Sequence, residues 1–555
     1  MGSKSGKNSF IIQGSILAFA GILVRVIGLI YRIPLTIILG DQGLDYYGTA
    51  YDIYNVLILL SSQSMPLAVS KIVSEKLEKK EYKNAHKVFK GALFYGLFLG
   101  VIFGLFAFFG ADWLASELLK TPPAGRALKV LAPTITVVCV LGVLRGYFQG
   151  MGNMVPTAIS QVFEQIVNAV VSVLAAYELS VYGMSVAKLT NLSSSNASIL
   201  KYSWGAAGGT LGTFMGAMSA LLIIAFILWK KFGGIKEQIR ADISGKTDNY
   251  STITKVIIFT ITPVLISTTI YNISNLLDNP IYKNIAELVC NVPDDVKSIL
   301  WGRYSQKYRV LTTMPIAIAS SLSTAIVPSL VRSYVTKNST DVKNKVSQAL
   351  KFSMIIAVPC GMGLSVLGGP INQLLYKDSN EGTAIMMIFS IFTVVAFSLS
   401  TISNAILQGI DKLKVPIKNS AISLVIHIVI LPILLIVFDL GIYAVVIGDI
   451  TFGATVSVLN AFSIKKYLGY KQEFKNTFFK PLICSIAMGA VCLLVYYGIF
   501  HILPYNFVCT ILSIIAGVVI YAIMLIATKT ITAEELYSMP KGAVLVKILK
   551  KTHLI

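Results

Sequence analysis

The sequence predicts an all-α polytopic membrane protein with about fourteen transmembrane helices, arranged as two pseudo-symmetric six-helix lobes plus two C-terminal helices. Of the 555 residues, 55% are hydrophobic and only 13% are charged, and the mean hydropathy is +0.74. A soluble protein of this length would carry about a quarter charged residues. Apolar runs of about 18 or more residues recur from end to end, so the chain is predicted to cross a membrane many times.

Each predicted span is an apolar run long enough to cross the bilayer core as a helix. The runs lie approximately at residues 10–39, 49–73, 88–110, 127–150, 157–178, 204–231, 254–278, 308–333, 348–374, 384–408, 417–438, 441–465, 478–500 and 504–528. The short basic N-terminus leads directly into the first run, so no cleavable signal peptide is expected. The six cysteines are scattered and form no C-x-x-C motif, so they predict neither a disulfide framework nor a metal site.

The loops between the runs alternate in charge. Lysine-rich loops, such as residues 71–90 and 464–480, fall on the side of the N-terminus, whereas the loops at residues 40–48 and 376–382 are neutral or acidic. Because cytoplasmic loops carry the excess of lysine and arginine, both termini are predicted to be cytoplasmic in a bacterial plasma membrane. The same pattern accounts for the net charge of +21, and no nucleic-acid partner is expected. An interfacial aromatic belt at the outer end of the second span is predicted for Tyr47, Tyr51 and Tyr54.

The two halves of the chain resemble each other at an offset of about 255 residues. GTAYDIYNVL from Gly48 matches GRYSQKYRVL from Gly302, and YFQGMGNMVPTAIS from Tyr147 matches ILQGIDKLKVPIKNS from Ile406. The second pair joins the fourth and fifth spans in each half. We therefore predict an N-lobe at residues 1–235, a cytoplasmic linker at 236–253, a C-lobe at 254–466, and two further spans with a basic cytoplasmic tail at 467–555.

Two arginines stand out in the first span, because the run from Ile11 to Gly40 holds no other charge. Arg25 and Arg32 are seven residues apart, which is two helical turns, so they share one face of the helix. An arginine in the bilayer core costs a few kcal/mol or more and rarely faces lipid. The pair predicts a cationic face directed into a watery interior cavity, which would suit an anionic substrate.

The fifth and tenth spans carry polar residues inside apolar runs. One face of the fifth span carries Gln161, Glu164, Gln165 and Asn168. An ionisable residue such as Glu164 within a span indicates a functional site. The alternative is that Glu164 pairs with Arg145 at the end of the fourth span and only holds the lobe together. In the tenth span, Asn404 is a further candidate for the substrate site.

In the second half, Arg309 is the deepest charged residue of the eighth span. Together with Arg25 and Arg32, it makes the predicted cavity cationic. Arginine can bind phosphate through two parallel hydrogen bonds. A pump for organic cations would be expected to present carboxylates to the cavity instead.

Three stretches of the sequence resemble a known family. They are RVIGLIYRIPLTIILG from Arg25, RGYFQGMGNMVPTAISQVFEQIV from Arg145, and KYRVLTTMPIAIASSLSTAIVPSLVRS from Lys307. They are similar to the polysaccharide-biosynthesis branch of the multidrug/oligosaccharidyl-lipid/polysaccharide (MOP) flippase superfamily, and within it to MurJ-type lipid II flippases of Gram-positive bacteria and to the sporulation relative SpoVB. The resemblance covers nearly the whole chain.

The resemblance implies two lobes around a V-shaped cavity, and alternating access that moves an undecaprenyl-pyrophosphate-linked precursor such as lipid II to the outer leaflet. It implies that Arg25, Arg32 and Arg309 engage the pyrophosphate of the lipid. Some members bind Na⁺ between the seventh, eleventh and twelfth spans. Asp278 and Asp411 are the candidate counterparts here, although the neighbouring ligands do not match.

The sequence contains no Walker A motif, so ATP hydrolysis by this chain is not expected. Transport would then draw on the membrane potential or on an ion gradient such as that of Na⁺, and no other cofactor is expected. The expected partners are the lipid-linked pyrophosphate oligosaccharide, the surrounding membrane lipids, and proteins of cell-wall synthesis or division.

Other functions stay open beside lipid II transport. A flippase for a teichoic, capsular or spore precursor fits the same residues. A multidrug antiporter of the same superfamily would need carboxylates in the first helix, where there are none. A membrane glycosyltransferase or ligase would need a carboxylate or histidine constellation in an external loop, and the predicted outer loops are short and lack one. The chain is therefore predicted to be a transporter rather than an enzyme.

Overall fold

A computed structural model describes residues 2–63, 65–242, 248–324 and 327–530 of the chain. Every regular element in these ranges is a helix. The apolar sequence explains this, because inside a bilayer each backbone N–H and C=O must be satisfied by the chain, and a helix does so within its own segment. The predicted all-α fold class is confirmed.

The chain divides into two compact units, and the first comprises Met1–Gly302. Its helices are α1 (Gly2–Ser61), α2 (Met65–Glu78), α3 (Tyr82–Phe109), α4 (Ala111–Trp113), α5 (Gly125–Gly150), α6 (Val155–Leu189), α7 (Ser194–Arg240), α8 (Tyr250–Leu288) and α9 (Asp294–Gly302). A π-helical turn (Leu114–Leu118) and a 3-10 turn (Pro122–Ala124) precede α5. The core of this unit is formed by α1, α5, α6 and α7, which pack against one another.

Small residues bring α6 and α7 into close contact. A Cβ added to Gly208 would lie 2.2 Å from Ala175 O, and one added to Gly212 would lie 2.0 Å from Ser172 Oγ, so neither position accepts a larger residue. The two glycines are one turn apart on α7 and leave room for the backbone of α6. Such spacing is typical of helix pairs in membranes, where close packing replaces the hydrophobic effect.

The first two predicted spans form one long helical element. α1 runs through both, with a break at Gly40, where φ is 60° and ψ is 177°. Glycine adopts such a positive φ without steric cost. The predicted loop at residues 40–48 is wrong, because the chain continues as helix after Gly40 and buries Leu44, Asp45 and Tyr47.

The second unit comprises Arg303–Ile555. It begins with a π-helical turn (Arg303–Tyr308) and contains α10 (Arg309–Thr324), α11 (Val327–Val335), α12 (Ser339–Tyr376), α13 (Glu381–Ile388), α14 (Ser390–Gly409), α15 (Lys414–Ile436), α16 (Ile442–Leu468), α17 (Lys480–Ile502) and α18 (Asn506–Ala527). A π-helical turn (Lys475–Phe479) precedes α17. Within this unit, α12 packs against α10, α14, α17 and α18. The last two predicted spans correspond to α17 and α18, which contact each other along their length.

In the described ranges, eleven helices are long and apolar enough to cross a membrane. Predicted span 2 and most of predicted span 1 fall within the first of these, Phe19–Glu78. Predicted span 7 lies in α8, and predicted span 8 is divided between α10 and α11 (16 and 9 residues). The chain is thus a multi-pass membrane protein, and its full complement of fourteen spans stays a prediction.

The internal repeat is visible in two equivalent turns. Between α5 and α6, Gly152 has φ of 74°, and its N–H donates to Gln149 O at 2.9 Å. Between α14 and α15, Asp411 has φ of 61°, and its N–H donates to Gln408 O at 3.1 Å. The residues before and after each of them make matching bonds to helix carbonyls. The two Q-G segments therefore build the same turn, as their sequence similarity predicts.

The glycine of each Q-G segment also makes an equivalent helix contact. A Cβ added to Gly150 would lie 2.8 Å from Val73 Cβ on α2. A Cβ added to Gly409 would lie 2.9 Å from Val327 Cγ1 on α11. α2 thus packs directly on the end of α5, and α11 packs in the same way on the end of α14. Only glycine at these two positions leaves space for the contact.

The boundary between the two compact units lies after the last residue of α9, because α8 and α9 both contact α1 and so belong to the first unit. The sequence instead places the change of lobe in the linker at residues 236–253, of which residues 243–247 lie outside the described ranges. The predicted basic tail beyond residue 530 lies outside them as well. The assignment of the two lobes stays a prediction.

Candidate functional site

The polar face of α6 packs against the arginine-bearing helix α1. A Cβ added to Gly28 would lie 3.2 Å from Gln165 Nε2. One turn further along α1, Tyr31 Oη accepts a hydrogen bond of 3.4 Å from Asn168 Nδ2. The predicted face of the fifth span is therefore directed at the helix that carries Arg25 and Arg32.

The contact between α1 and α6 loosens toward the N-terminus of α1. Gly21, Arg25 and Gly28 are neighbours on the arginine face at helical spacing. A Cβ added to Gly21 would meet no atom within 4 Å, whereas Gly28 lies tightly against α6. Arg25, between them, is exposed. The arginine face thus leads from open space into a packed polar contact.

Arg32 is half-buried among tyrosine side chains. It lies near the hydroxyls of Tyr31, Tyr47 and Tyr51, and the rings of Tyr47 and Tyr51 are 4.6 Å apart. The Tyr51 hydroxyl is hydrogen-bonded to Thr213 on α7. Within the described part of the chain, no carboxylate forms an ion pair with Arg32. Neutral hydroxyls, and not carboxylates, therefore surround its positive charge.

The prediction of an interfacial belt is wrong for two of the tyrosines. Tyr47 and Tyr54 are only 2% and 7% exposed. A Cβ added to Gly209 on α7 would lie 3.1 Å from Tyr47 Cε2, so the ring packs between helices. Tyr47 and Tyr54 are two helical turns apart, as Arg25 and Arg32 are, and this spacing could have indicated a second inward face.

Glu164 forms an ion pair with Arg145, as the alternative interpretation of the sequence expected. The distance from Arg145 Nη2 to Glu164 Oε2 is 2.6 Å, and Arg145 Nε donates to Ser160 Oγ at 3.0 Å. The two side chains are 14% and 28% exposed, so the pair is largely shielded from solvent. Gln161, on the same face of α6, is half-buried. The pair thus brings one positive and one negative charge together within the first unit.

Arg309 begins α10 directly after the π-helical turn Arg303–Tyr308, and it is half-buried. Single π-helical turns occur frequently at functional sites. Within the turn, Lys307 Nζ lies 2.7 Å from Asp378 Oδ2. Burial alone would raise the pKa of Asp378, but the ion pair with Lys307 outweighs burial and holds that pKa below its usual value. Since Arg309 belongs to the second unit, its predicted convergence with Arg25 and Arg32 stays a prediction.

Asn404 takes part in a buried network of amides between α14, α15 and α16. Its Oδ1 accepts a hydrogen bond of 2.7 Å from Asn460 Nδ2, and Asn460 Oδ1 accepts one of 2.8 Å from Asn419 Nδ2. Such interhelical bonds hold membrane helices together. They account for Asn404 without a substrate, so its role in binding stays a prediction.

The two candidate Na⁺ ligands have different surroundings. Asp278 is fully buried on α8. Asp411 is exposed and takes the left-handed conformation of the repeated turn, where the first half has Gly152. Aspartate is one of the few residues that tolerate this conformation, which explains Asp411 without a metal ion. No cluster of three His, Cys, Asp or Glu side chains suited to a metal ion occurs in the described ranges, and the Na⁺ site stays a prediction.

Two family models match the sequence. The model described as "Polysaccharide biosynthesis protein" matches residues 12–334, which is more than half of the chain. The model described as "MatE" matches residues 309–433. The first match includes Arg25, Arg32 and Arg309.

Two similar proteins come from Bacillus subtilis (strain 168). The lipid II flippase MurJ is 26% identical over 510 residues, which cover 87% of this chain and 88% of that protein. Stage V sporulation protein B is 24% identical over 538 residues, which cover 96% and 98%. The similarity therefore extends over nearly the full length of both relatives.

Two solved structures are similar in fold. One is the lipid II flippase MurJ in an inward closed conformation, with a TM-score of 0.65 at 16% identity over 92% of this chain and 97% of that chain. The other is the inward-facing conformation of a multidrug resistance MATE family transporter of the MOP superfamily, with a TM-score of 0.65 at 15% identity over 83% and 98%. At these identities the likeness shows the fold alone, and it is the predicted transporter fold.

Proposed function

This chain belongs to the family of polysaccharide biosynthesis proteins, and on that premise we propose that it is a flippase for an undecaprenyl-pyrophosphate-linked cell-wall precursor, with lipid II as its substrate. The predicted resemblance to the MOP superfamily is confirmed by the two family models and by both solved structures. Because the similar structures are flippases and transporters, the chain is a transporter rather than an enzyme, as the sequence predicts.

The arginine face of α1 is the observation that carries the proposal. Arg32 has tyrosine hydroxyls rather than carboxylates around it, and Arg25 is exposed seven residues earlier, beside the open space at Gly21. An anionic lipid headgroup could therefore reach Arg25 first and Arg32 next. Each guanidinium presents a planar set of donors that matches phosphate oxygens.

The diphosphate is the part of the substrate that most needs such a site. Moving its charge through a low-dielectric region without partners would be prohibitive. Two arginines on one helix face reduce this cost, and Arg309 of the second unit would add a third positive charge. The ion pair between Arg145 and Glu164 also favours phosphate binding, because an unpaired Glu164 carboxylate on the neighbouring helix would repel the phosphate.

Alternating access would complete the cycle. The headgroup enters from the cytoplasmic leaflet while the polyprenyl tail stays in the lipid, and closure of the entry side exposes the headgroup outside. The membrane potential or an ion gradient would drive the cycle, since the sequence has no Walker A motif.

Two other functions are supported by specific observations. The similarity to stage V sporulation protein B over 96% of this chain favours a precursor specific to spores, and a teichoic or capsular precursor would use the same arginines. The MatE match at residues 309–433 and the MATE structure favour a multidrug antiporter. The antiporter is the weaker candidate, because the arginine face of α1 would repel organic cations.

The test is a flipping measurement in proteoliposomes. Purified protein is reconstituted with fluorescent lipid II, and a membrane-impermeant quencher reports the fraction of label that reaches the outer leaflet with time. We expect flipping by the unchanged protein, loss of flipping by Arg25→Ala and Arg32→Ala, and full flipping by Arg240→Ala, which removes an exposed arginine at the end of α7.

Parallel vesicles distinguish the other functions. Flipping of a teichoic or capsular lipid precursor but not of lipid II would replace the substrate. Export of a cationic dye without flipping of any lipid would establish the antiporter instead. Full flipping of lipid II by both α1 variants would overturn the role of the arginine face.

A further inference from the structure

A fully buried ion pair joins α8 to α1 in the first unit. Lys283 Nζ lies 2.5 Å from Asp45 Oδ1, and both side chains are 0% exposed. Lys283 also donates to Thr49 Oγ1 at 3.0 Å and to Thr121 Oγ1 at 2.5 Å. All three ammonium donors therefore have protein partners, two on α1 and one just before α5.

A second contact between the same helices lies one turn away. Asn279 Nδ2 on α8 donates to Asp52 Oδ2 at 2.9 Å and to Thr49 Oγ1 at 3.3 Å, both on α1. We call Asp45, Thr49, Asp52, Asn279 and Lys283 the α1–α8 cluster. It joins the two helices through an ion pair and hydrogen bonds.

The cluster is covered from outside by α9. The Trp301 ring centroid lies 5.9 Å from Lys283 Nζ, and Trp301 stacks on Tyr282 with centroids 5.7 Å apart. A Cβ added to Gly302 would lie 2.1 Å from Asp41 O, so α9 sits directly on α1. Solvent is thus excluded from the ion pair by an aromatic ring and a tight backbone contact.

The other end of α8 is fixed to the same unit by separate contacts. Lys76 on α2 lies 2.5 Å from Asp248 Oδ2 and 2.9 Å from Glu81 Oε2. Asp248 lies just before α8, and from Tyr250 at the start of α8 to Lys283 is 33 residues, which is about 50 Å of helix and exceeds the bilayer core of about 30 Å. The α1–α8 cluster therefore lies at the membrane face opposite the lysine-rich loop of residues 71–90, the face that the charge pattern predicts to be outside.

The composition of the cluster favours a contact that can separate. Asp45 Oδ2 and Asn279 Oδ1 are buried without a hydrogen-bond partner among the described residues. Asp52 is a second buried carboxylate near the single ammonium of Lys283. A permanent anchor is better built from apolar side chains, because desolvating charges cancels much of their attraction. Once water enters, every member of the cluster can be hydrated, so the open arrangement is also accessible.

We propose that the α1–α8 cluster is a latch that closes the outer end of the transport pathway and separates each time the protein opens outward. The inference rests on the proposed flippase function, which requires alternating exposure of one site to the two sides. Since α8 is the first helix of the second sequence repeat, its separation from α1 would part the two repeats at this end.

A disulfide across the latch tests the proposal. Thr49→Cys and Asn279→Cys replace side chains whose polar atoms are 3.3 Å apart, in a protein whose native cysteines are replaced by serine. We expect oxidation to stop lipid II flipping and a reductant to restore it. The matched control keeps Cys484 and adds Thr528→Cys, a pair with 3.4 Å between Sγ and Oγ1 outside the predicted lobes, and its oxidation should leave flipping unchanged.

A second measurement does not depend on transport. Thr49→Cys alone is labelled by a membrane-impermeant thiol reagent from the outside, with and without Asp45→Asn and Lys283→Met. Removing both charges of the pair leaves neither Asp45 nor Lys283 as an unpaired buried charge, and Asp52 keeps its hydrogen bond from Asn279. We expect labelling at least about tenfold faster without the ion pair, because the open state becomes more populated.

The outcomes separate the two proposals. If the protein does not flip lipid II but labelling accelerates, the latch stands and the substrate is wrong. If the oxidised Thr49→Cys/Asn279→Cys protein flips lipid II at the reduced rate, or if labelling is unchanged without the ion pair, the latch is overturned.

Discussion

Replacing Arg32 by alanine is the most direct perturbation of the arginine face. Arg32 has no ion pair within the described chain, so its loss leaves no carboxylate unpaired, and the neighbouring tyrosine hydroxyls can hydrogen-bond each other or water. A hydrogen bond to a charged group contributes about 1.5–3 kcal/mol. The loss of one such contact with the pyrophosphate corresponds to about a 10- to 150-fold weaker affinity for lipid II.

The assay is equilibrium binding of fluorescent lipid II to detergent-solubilised protein, followed by thermal unfolding of the same samples. Arg32→Lys keeps the charge but not the planar donors, so its affinity should lie between those of Arg32→Ala and the unchanged protein. Arg240→Ala should bind as the unchanged protein does. If Arg32→Ala binds lipid II within twofold of the unchanged protein while remaining folded, Arg32 does not contact the phosphate and the reasoning fails.

Three further predictions concern the surroundings of the site and the fold. Glu164→Gln should lower the stability by about 1 kcal/mol, because Arg145 loses its carboxylate partner, but it should leave lipid II binding unimpaired. Thermal unfolding and the binding assay measure the two effects, and a loss of binding as large as that of Arg32→Ala would show that Glu164 contacts the substrate itself. Gly152→Ala should destabilise the protein by about 1–2 kcal/mol, because alanine is strained at φ of 74°; an unchanged unfolding temperature would contradict the left-handed turn. The Asp378–Lys307 pair should stabilise the protein at neutral pH and cease to do so as the pH falls below about 4, because the pKa of Asp378 is lowered in the folded state and its carboxyl group is protonated only in acid. Asp378→Asn should therefore reduce the stability at pH 7 but not in acid, and equal losses at both pH values would exclude the linkage.

The arginine face could be predicted from the sequence because its physical basis is local. Charges inside an apolar run are costly wherever the helix lies in the membrane, and their helical spacing shows which face they share. The same reasoning identified the polar face of α6 that packs on Gly28 and Tyr31. It left two interpretations of Glu164 open, since only the packing of α5 against α6 decides whether Arg145 is within reach.

The α1–α8 cluster escaped prediction because it depends on contacts between distant parts of the chain. Lys283 and Asp45 are 238 residues apart. Asp45 falls in a predicted polar loop, and Lys283 follows the end of a predicted span, where a lysine is ordinary. Expecting a loop at residues 40–48 concealed a helix that buries Asp45. Tyr47 and Tyr54 were placed in an interfacial belt for the same reason, since membrane composition does not reveal which aromatic side chains lie between helices.

The central claim is that the arginines of α1 bind the phosphates of a lipid, and an experimental structure of the protein with lipid II bound tests it most directly. The account predicts the pyrophosphate within hydrogen-bonding distance of the guanidinium groups of Arg25 and Arg32, beside the polar face of α6, with the polyprenyl chain in the surrounding lipid. A headgroup bound elsewhere, with these two arginines directed at acyl chains or at protein carboxylates, would contradict it.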